Sequence, residues 1–367
     1  MNLELTDEQI ALRDTVRNFV AEKASIAEHV RPMLDDDTGT TDAVWRGLAD
    51  LGAAGLLVPP QYDGAGMTMV EAGIVAEELG AGLHPGPWLS SAVAATRALT
   101  RFEVAGDLAA PLYTGIADGS VIATVGPLDG PRPSVVDDVV LRGQIDSMWD
   151  VCAADVLLIV ADDPDGTGLF VVQTAAPGIE SMPQAGIDQT RKRFRIQLDD
   201  TPAQRLSVAA PEAFEALVDD VTIAWAADAL GAARAILHLA VEYAKVRRQF
   251  GQPIGGFQAV QHLCVDMYET VELARSGVIH ALWAADAGDQ AERHAAAMRT
   301  KAFAGRLATV GDMAVQVFGG IGYTWEHDAH LYLKRLLSWS AFRGNSDRYL
   351  VQLGAQFADS VLRRSPV

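Results

Sequence analysis

Apolar positions recur at intervals of three and four at both ends of this chain, and at intervals of two in its middle. Up to about residue 115 the helical period dominates. Thr6-x-x-Gln9 and Thr68-x-x-Glu71 each read as a capping box opening an amphipathic stretch. From 116 to 206 the period falls to two. Residues 120–125, 139–145, 156–160, 169–172 and 193–198 read as short strands parted by Gly, Pro and Asp. From 207 the helical period returns, with Val260, Leu263, Met267, Val271, Ala274 and Val278 on one stripe. Phe303, Leu307, Val310, Ala314 and Val317 form another. The expected fold is α+β and multidomain: an N-terminal helical domain (1–115), a small middle β-barrel or sandwich (116–206), and a C-terminal four-helix bundle (207–367).

Composition narrows the function more than the fold. The 367 residues carry 29 Lys plus Arg against 48 Asp plus Glu, a formal charge of −19. That balance argues against nucleic acid and anionic membranes as partners. No uninterrupted apolar run reaches the length of about 18–20 residues that spans a bilayer. The first residues, Met1 to Glu8, are acidic and unlike a secretory signal. Cys152 and Cys264 form no disulfide or metal pattern and are expected to be buried free thiols, so a cytoplasmic location is expected.

The densest chemical signal lies between Tyr243 and His262. An Ala-rich helix delivers Arg247, Arg248 and Gln249 to its C-terminal end; Gly251, Pro253, Gly255 and Gly256 then break it, and a new helix starts near Phe257. A guanidinium beside an amide and a tight turn suits a diphosphate. Further on, Gln316-Val-Phe-Gly319-Gly320-Ile-Gly322-Tyr323 supplies a second glycine turn whose bare N–H groups can approach an anion. Singly, each is an ordinary helix end. A third turn, Val58 to Gly66, has no strand before it and no Lys after it, and reads as a helix connection rather than a phosphate loop.

Together, Arg-x-Gln-Phe-Gly, the Phe257-Gln258 pair and Gln-x-x-Gly-Gly-x-Gly-Tyr resemble the C-terminal domain of the acyl-CoA dehydrogenases. The resemblance runs almost end to end, including Glu77-Glu78-Leu79-Gly80 near the N-terminus. It implies that Arg247, Gln249, Phe250, Gln258, Gln316, Gly319 and Gly320 bind the ADP half of a neighbouring subunit's FAD. It further implies an acyl-CoA substrate, an electron-transfer flavoprotein as acceptor, and oxidation to the 2-enoyl thioester. In that reaction a carboxylate takes the α-proton while the β-hydrogen leaves as hydride to the flavin.

The chain departs from the family where that chemistry sits. The position of the usual base near the C-terminus is Arg343, and a guanidinium cannot accept the proton. The alternative position, early in the long helix, is Val221. Asp219, Asp220 and Asp228 are near it; acidic residues at a helix start are usually solvated dipole partners, and that is the expectation here. The family's Gly-Ser-Asp loop and Trp-x-Thr segment become Ala123–Pro133 and Met148-Trp149-Asp150-Val151, with Trp149 expected in the core. His327-x-x-His330 is a faint metal pattern better read as a helix start, and His262 and His280 are expected in a core or interface. The catalytic base is therefore unassigned. Three readings compete: a non-catalytic subunit of a hetero-oligomer (a heterotetramer with a sister chain), a homo-oligomeric dehydrogenase with an unusual base such as Asp219 or Asp220, and a flavin-free scaffold on this fold.

Overall fold

The computed structural model describes residues 4–137 and 139–364, the side chains of 359–364 excepted. The first three residues of the acidic N-terminal segment and residues 365–367 of the expected bundle lie outside the described residues. The N-terminal part contains α1 (Asp7–Lys23), α2 (Asp42–Asp50), α3 (Met69–Ala81), α4 (Thr96–Arg101) and α5 (Ala110–Ala117). Both capping boxes form: Thr6 with Gln9 opens α1, and Thr68 with Glu71 opens α3. The turn before α3 is a helix connection, as expected. It needs glycine at Gly64, where a Cβ would lie 2.0 Å from the Val58 carbonyl oxygen.

The middle part is one sheet of β1 (Ala123–Gly126), β2 (Ser134–Val136), β3 (Val140–Trp149), β4 (Val156–Asp163), β5 (Gly166–Gln173), β6 (Ile179–Gln184), β7 (Arg193–Pro202) and β8 (Gln204–Ala209). Its order is β6-β7-β3-β2-β4-β5-β8, with β1 also on β4. The pairing is antiparallel except that β1 and β2 run parallel to β4. One face folds over a core of Leu141, Ile145, Phe170, Phe194 and Ile196. Val156, Leu158 and Val160 on the other face pack against α4 and α5 through Leu99 and Ile116.

The C-terminal part contains α6 (Pro211–Val246), a hairpin of β9 (Arg248–Gln249) and β10 (Gln252–Pro253), α7 (Gln258–Ala287), α8 (Gln290–Ala304), α9 (Ala308–Phe318), α10 (Ala329–Ala341) and α11 (Ser346–Arg364). By length and composition α6 is apolar enough to cross a bilayer, with a mean hydropathy of 1.2, but 67% of that window is buried within the protein. It is the central helix. Its backbone touches that of α3, because a Cβ on Gly231 would lie 1.8 Å from the Glu77 carbonyl oxygen and one on Gly80 would lie 2.0 Å from that of Asp228.

One buried ion network ties the three parts together. Asp228 of α6 accepts from Arg335 of α10 at 2.9 and 3.0 Å and from Arg191 of the middle part at 2.7 Å. Arg335 also donates to Asp188 at 2.9 Å and to the carbonyls of Leu83 and His84 at 3.2 Å. Burial opposes ionisation of Asp228, yet the two guanidiniums hold its carboxyl below the usual range.

Candidate functional site

The long helix stops at Val246 because Arg247 turns extended (φ −67°, ψ 124°). The chain then reverses through Phe250 and Gly251, both at positive φ (53° and 84°), the backbone of a type I′ hairpin turn. Arg248 is consumed locally, donating to the Gly251 carbonyl at 2.9 Å. The side chains of Arg247 and Gln249 are exposed and make no hydrogen bond or ion pair among the described residues. Phe250 is 92% exposed and meets Phe257 edge-on at 6.1 Å, which sets the hairpin beside the start of α7 and the exposed Gln258.

Tyr243, one turn before Arg247, packs on Phe318 at 5.1 Å, and that contact brings the end of α9 to the same place. Gln316 is exposed there. Gly319 follows at φ +65°, and neither it nor Gly320 has any atom within 4 Å of where a Cβ would stand. All seven sequence-selected residues thus converge on one end of the bundle. The exposed guanidinium and amides, with two glycines open to approach, fit the diphosphate of a flavin dinucleotide.

The crevice on the other side of the bundle is different. It measures about 380 Å³ and lies between β3, the 185–193 loop and the end of α10. Trp149 is both core and wall: it is buried, lines this crevice, and meets Trp225 edge-on at 4.5 Å. Trp225 in turn packs on Phe342 at 4.4 Å. Arg343, at φ 53°, reaches across the mouth and donates from Nη1 to the Leu128 carbonyl. Val151 is fully buried in the β core, and Thr124 spends its hydroxyl on the Trp149 carbonyl at 2.7 Å. Polar groups remain in the wall, among them Ser147, Ser338 and Arg193, whose Nε has no hydrogen-bond partner, while Arg343 places a cation there.

Lys301 holds the turn that carries Arg343. Its side chain is fully buried without a carboxylate, donating to the carbonyls of Trp339 at 2.5 Å and Ser340 at 3.2 Å, 4.0 Å above the Trp339 ring. Burial lowers its pKa to about 7. An unfolded lysine titrates near 10.4, so between about pH 7 and 10 the unfolded chain binds the extra proton and stability rises with pH. The cost of burying the charge is complete below pH 7. Lys301→Met is therefore expected to gain stability relative to the parent at pH 6 and to lose about 2–3 kcal/mol of that advantage by pH 9. Urea unfolding at the two pH values checks this; equal differences at both would contradict it.

The three aspartates of α6 correct the expectation of solvated helix-start residues. All are buried, because this end of α6 runs under α4, α8 and the middle part rather than into solvent. Asp220 is 0% exposed between Arg97 (2.7 Å) and Arg101 (2.8 Å), and Asp228 belongs to the network above. Neither carboxylate is available to a substrate. Asp219 alone faces a cleft, of about 220 Å³, whose walls include Thr222, His294, Arg343 and Tyr349. Burial raises its pKa, while its hydrogen bond to His294 Nδ1 at 3.1 Å raises that of the imidazole. Val221 is buried in an apolar cluster and has no chemistry to offer.

Other expectations also change. Cys152 is exposed and Cys264 half-buried, since it is Val151, not its neighbour, that the 151–153 turn points inward. His262 is exposed, which removes it from the core, and His280 is half-buried 3.3 Å from Glu292. His327 Nδ1 accepts from the Ala329 N–H at 3.0 Å at the start of α10, and among the described residues no cluster could hold a metal ion.

The chain thus combines a helical domain, a small sheet and a bundle whose long helix ends in an Arg–Gln hairpin beside a double-glycine turn. The comparisons name the family. Residues 6–102 match the N-terminal domain of acyl-CoA dehydrogenase and residues 219–357 its C-terminal domain. The chain is 34% identical over 331 residues to acyl-CoA dehydrogenase IpdE2 of Mycobacterium tuberculosis, covering 90% of this chain and 91% of the relative. It is also 34% identical to FadE34 of the same organism, covering 98% of this chain but 49% of that longer protein. The solved ChsE4–ChsE5 complex from Mycobacterium tuberculosis superposes with a TM-score of 0.88 at 26% identity, covering 100% of both chains. A solved variant of the Tcur3481–Tcur3483 steroid ACAD gives 0.87 at 29% identity, covering 97% of this chain and 99% of that one. This chain belongs to the acyl-CoA dehydrogenase family.

Proposed function

We propose that this chain is the non-catalytic subunit of a hetero-oligomeric, FAD-dependent acyl-CoA dehydrogenase. Its Arg247, Gln249, Phe250, Gln258, Gln316, Gly319 and Gly320 complete the dinucleotide site of a sister subunit. The observation that carries the reading is an asymmetry. The end of the bundle that would serve a neighbour is open and unengaged, whereas Arg343 places a cation in the wall of the chain's own crevice and Val221 occupies the alternative base position. When bound, the flavin supplies the hydride acceptor. The guanidinium of Arg247 and the open backbone at Gly319–Gly320 neutralise and orient its diphosphate. The proton is taken by a carboxylate of the sister chain, since none is held at position 343 here.

Two structural relatives are described by paired names, and one as a steroid ACAD, which supports a paired assembly and a ring-bearing acyl-CoA substrate. An electron-transfer flavoprotein as acceptor and a cytoplasmic location belong to the same proposal. Arg247→Ala tests it. Loss of a charge-assisted bond of roughly 1.5–3 kcal/mol lowers the flavin affinity of the assembled complex by about 10- to 150-fold. Unchanged FAD retention after dialysis would remove Arg247 from the site.

A second reading has one observation in its favour. Asp219 faces the 220 Å³ cleft beside Arg343 with its pKa raised, as a general base requires. It makes the chain a self-sufficient homo-oligomeric dehydrogenase, and Asp219→Asn then abolishes activity measured without a partner.

A further inference from the structure

The crevice beside Trp149 carries two arginines that no carboxylate claims. Arg193 and Arg343 both line its 380 Å³. Arg193 lies over the Trp149 ring, 5.6 Å from its centre, with its Nε buried and unpartnered. Arg343 donates through Nη1 to the Leu128 carbonyl, and neither arginine makes an ion pair among the described residues. The other charges nearby are answered elsewhere. Arg191 and Asp188, also in the wall, belong to the network with Arg335 and Asp228, where two cations meet two carboxylates. Asp150, next to Trp149, turns to the Ser90 hydroxyl at 2.5 Å, and Lys192 turns to the Leu34 carbonyl at 2.8 Å. Arg343 also borders the cleft of Asp219 and Glu215, but both carboxylates turn to His294, at 3.1 and 3.8 Å. Among the described residues, that leaves Arg193 and Arg343 facing the crevice against the exposed Asp129. One positive charge is unanswered.

The rest of the wall narrows the ligand. Trp149 and Phe342 offer aromatic surface, and the hydroxyls of Ser147 and Ser338 make no hydrogen bond among the described residues. A carboxylate carries a single charge and matches the planar fork of a guanidinium, whereas a phosphate ester at neutral pH carries close to two. A flat ring beside the carboxylate covers the aromatic surface at little entropic cost. We propose that this crevice binds a compact aromatic carboxylate, drawn by the charge of Arg193 and Arg343 and packed along Trp149 and Phe342. The ligand is neither flavin nor thioester, and the site rests on the reading that no flavin ring occupies the crevice.

Calorimetric titration of the intact chain with benzoate tests this, once the flavin content of the same sample has been read from its absorbance. Benzoate is expected to bind with a Kd of about 1 mM or tighter. Benzamide, which keeps the shape without the charge, is expected to bind about 10-fold more weakly or worse, and acetate, which keeps the charge without the ring, likewise. Arg193→Met and Arg343→Met are each expected to weaken benzoate about 10-fold while leaving benzamide unchanged, and Arg343→Lys recovers part of the loss. The ligand series on the parent decides the matter even where a variant fails to fold. No heat from benzoate, equal binding of benzoate and benzamide, tighter binding of phenyl phosphate, or benzoate affinity unchanged in both Met variants overturns the proposal. Stoichiometric flavin in the lone chain overturns the subunit reading and this site with it. A flavin-free chain that ignores benzoate overturns the site alone.

Discussion

Purified without a second subunit, the chain is expected to oxidise no acyl-CoA thioester at a measurable rate. Addition of a homologue that carries a Glu at the position of Arg343 is expected to restore turnover. The reason is chemical rather than positional. Abstraction of a weakly acidic α-proton needs a base within about 2.6–3.2 Å of the proton's partner, and a positioned base contributes about 10²–10⁴ in rate. Arg343 supplies a permanent cation at that place and is held there by Leu128 from one side and by the Tyr349 hydroxyl on its own carbonyl at 3.1 Å from the other. Of the nearby aspartates, Asp220 and Asp228 are locked between arginines, which leaves Asp219 and, in the same cleft, Glu215 as carboxylates to exclude. Turnover by the lone chain that disappears in Asp219→Asn would replace the hetero-oligomeric account with the homo-oligomeric one.

Asp228→Ala is expected to have the largest effect on stability, about 3–5 kcal/mol. Among the described residues, the substitution removes the carboxylate that pairs with Arg191 and one of two that pair with Arg335, and it leaves both guanidiniums buried. Water cannot reach Arg335 without separating α10 from the middle part, because Arg335 also donates to Leu83 and His84 behind α3, whereas Arg191 borders the crevice. The loss should appear as a lower midpoint in urea with an unchanged slope. A loss below about 1 kcal/mol would mean that the network is solvated in solution.

Much of this is legible in the sequence, for reasons that differ along the chain. Periodicity suffices for the helices, where one apolar stripe recurs over many turns, and for β4 and β5, whose buried runs are long. It does not reveal β2, β6 or β8. β2 has only three residues, and the outer strand β6 is largely exposed, so no alternation marks it. Arg247 and Gly319 are readable because local breakers frame them, and the structure adds only the Tyr243–Phe318 contact that joins them. The buried aspartates are where the sequence misleads. Asp228 meets its arginine 107 residues later, and a carboxylate on a helix looks the same in sequence whether water or a distant guanidinium receives it. Arg97, Arg101, Arg191 and Arg335 give no sign of their partners for that reason. Three aspartates inside the otherwise apolar stretch of α6 are the signal that something buried must answer them.

The central claim is that the chain keeps the flavin half it lends and has lost the half it would use. The FAD-to-chain ratio of the protein expressed alone, from flavin absorbance against protein concentration, tests it most directly. The account predicts a ratio near zero, rising only when the sister subunit is present. A ratio near one in the lone chain would contradict it, since a complete site would then be built despite Arg343.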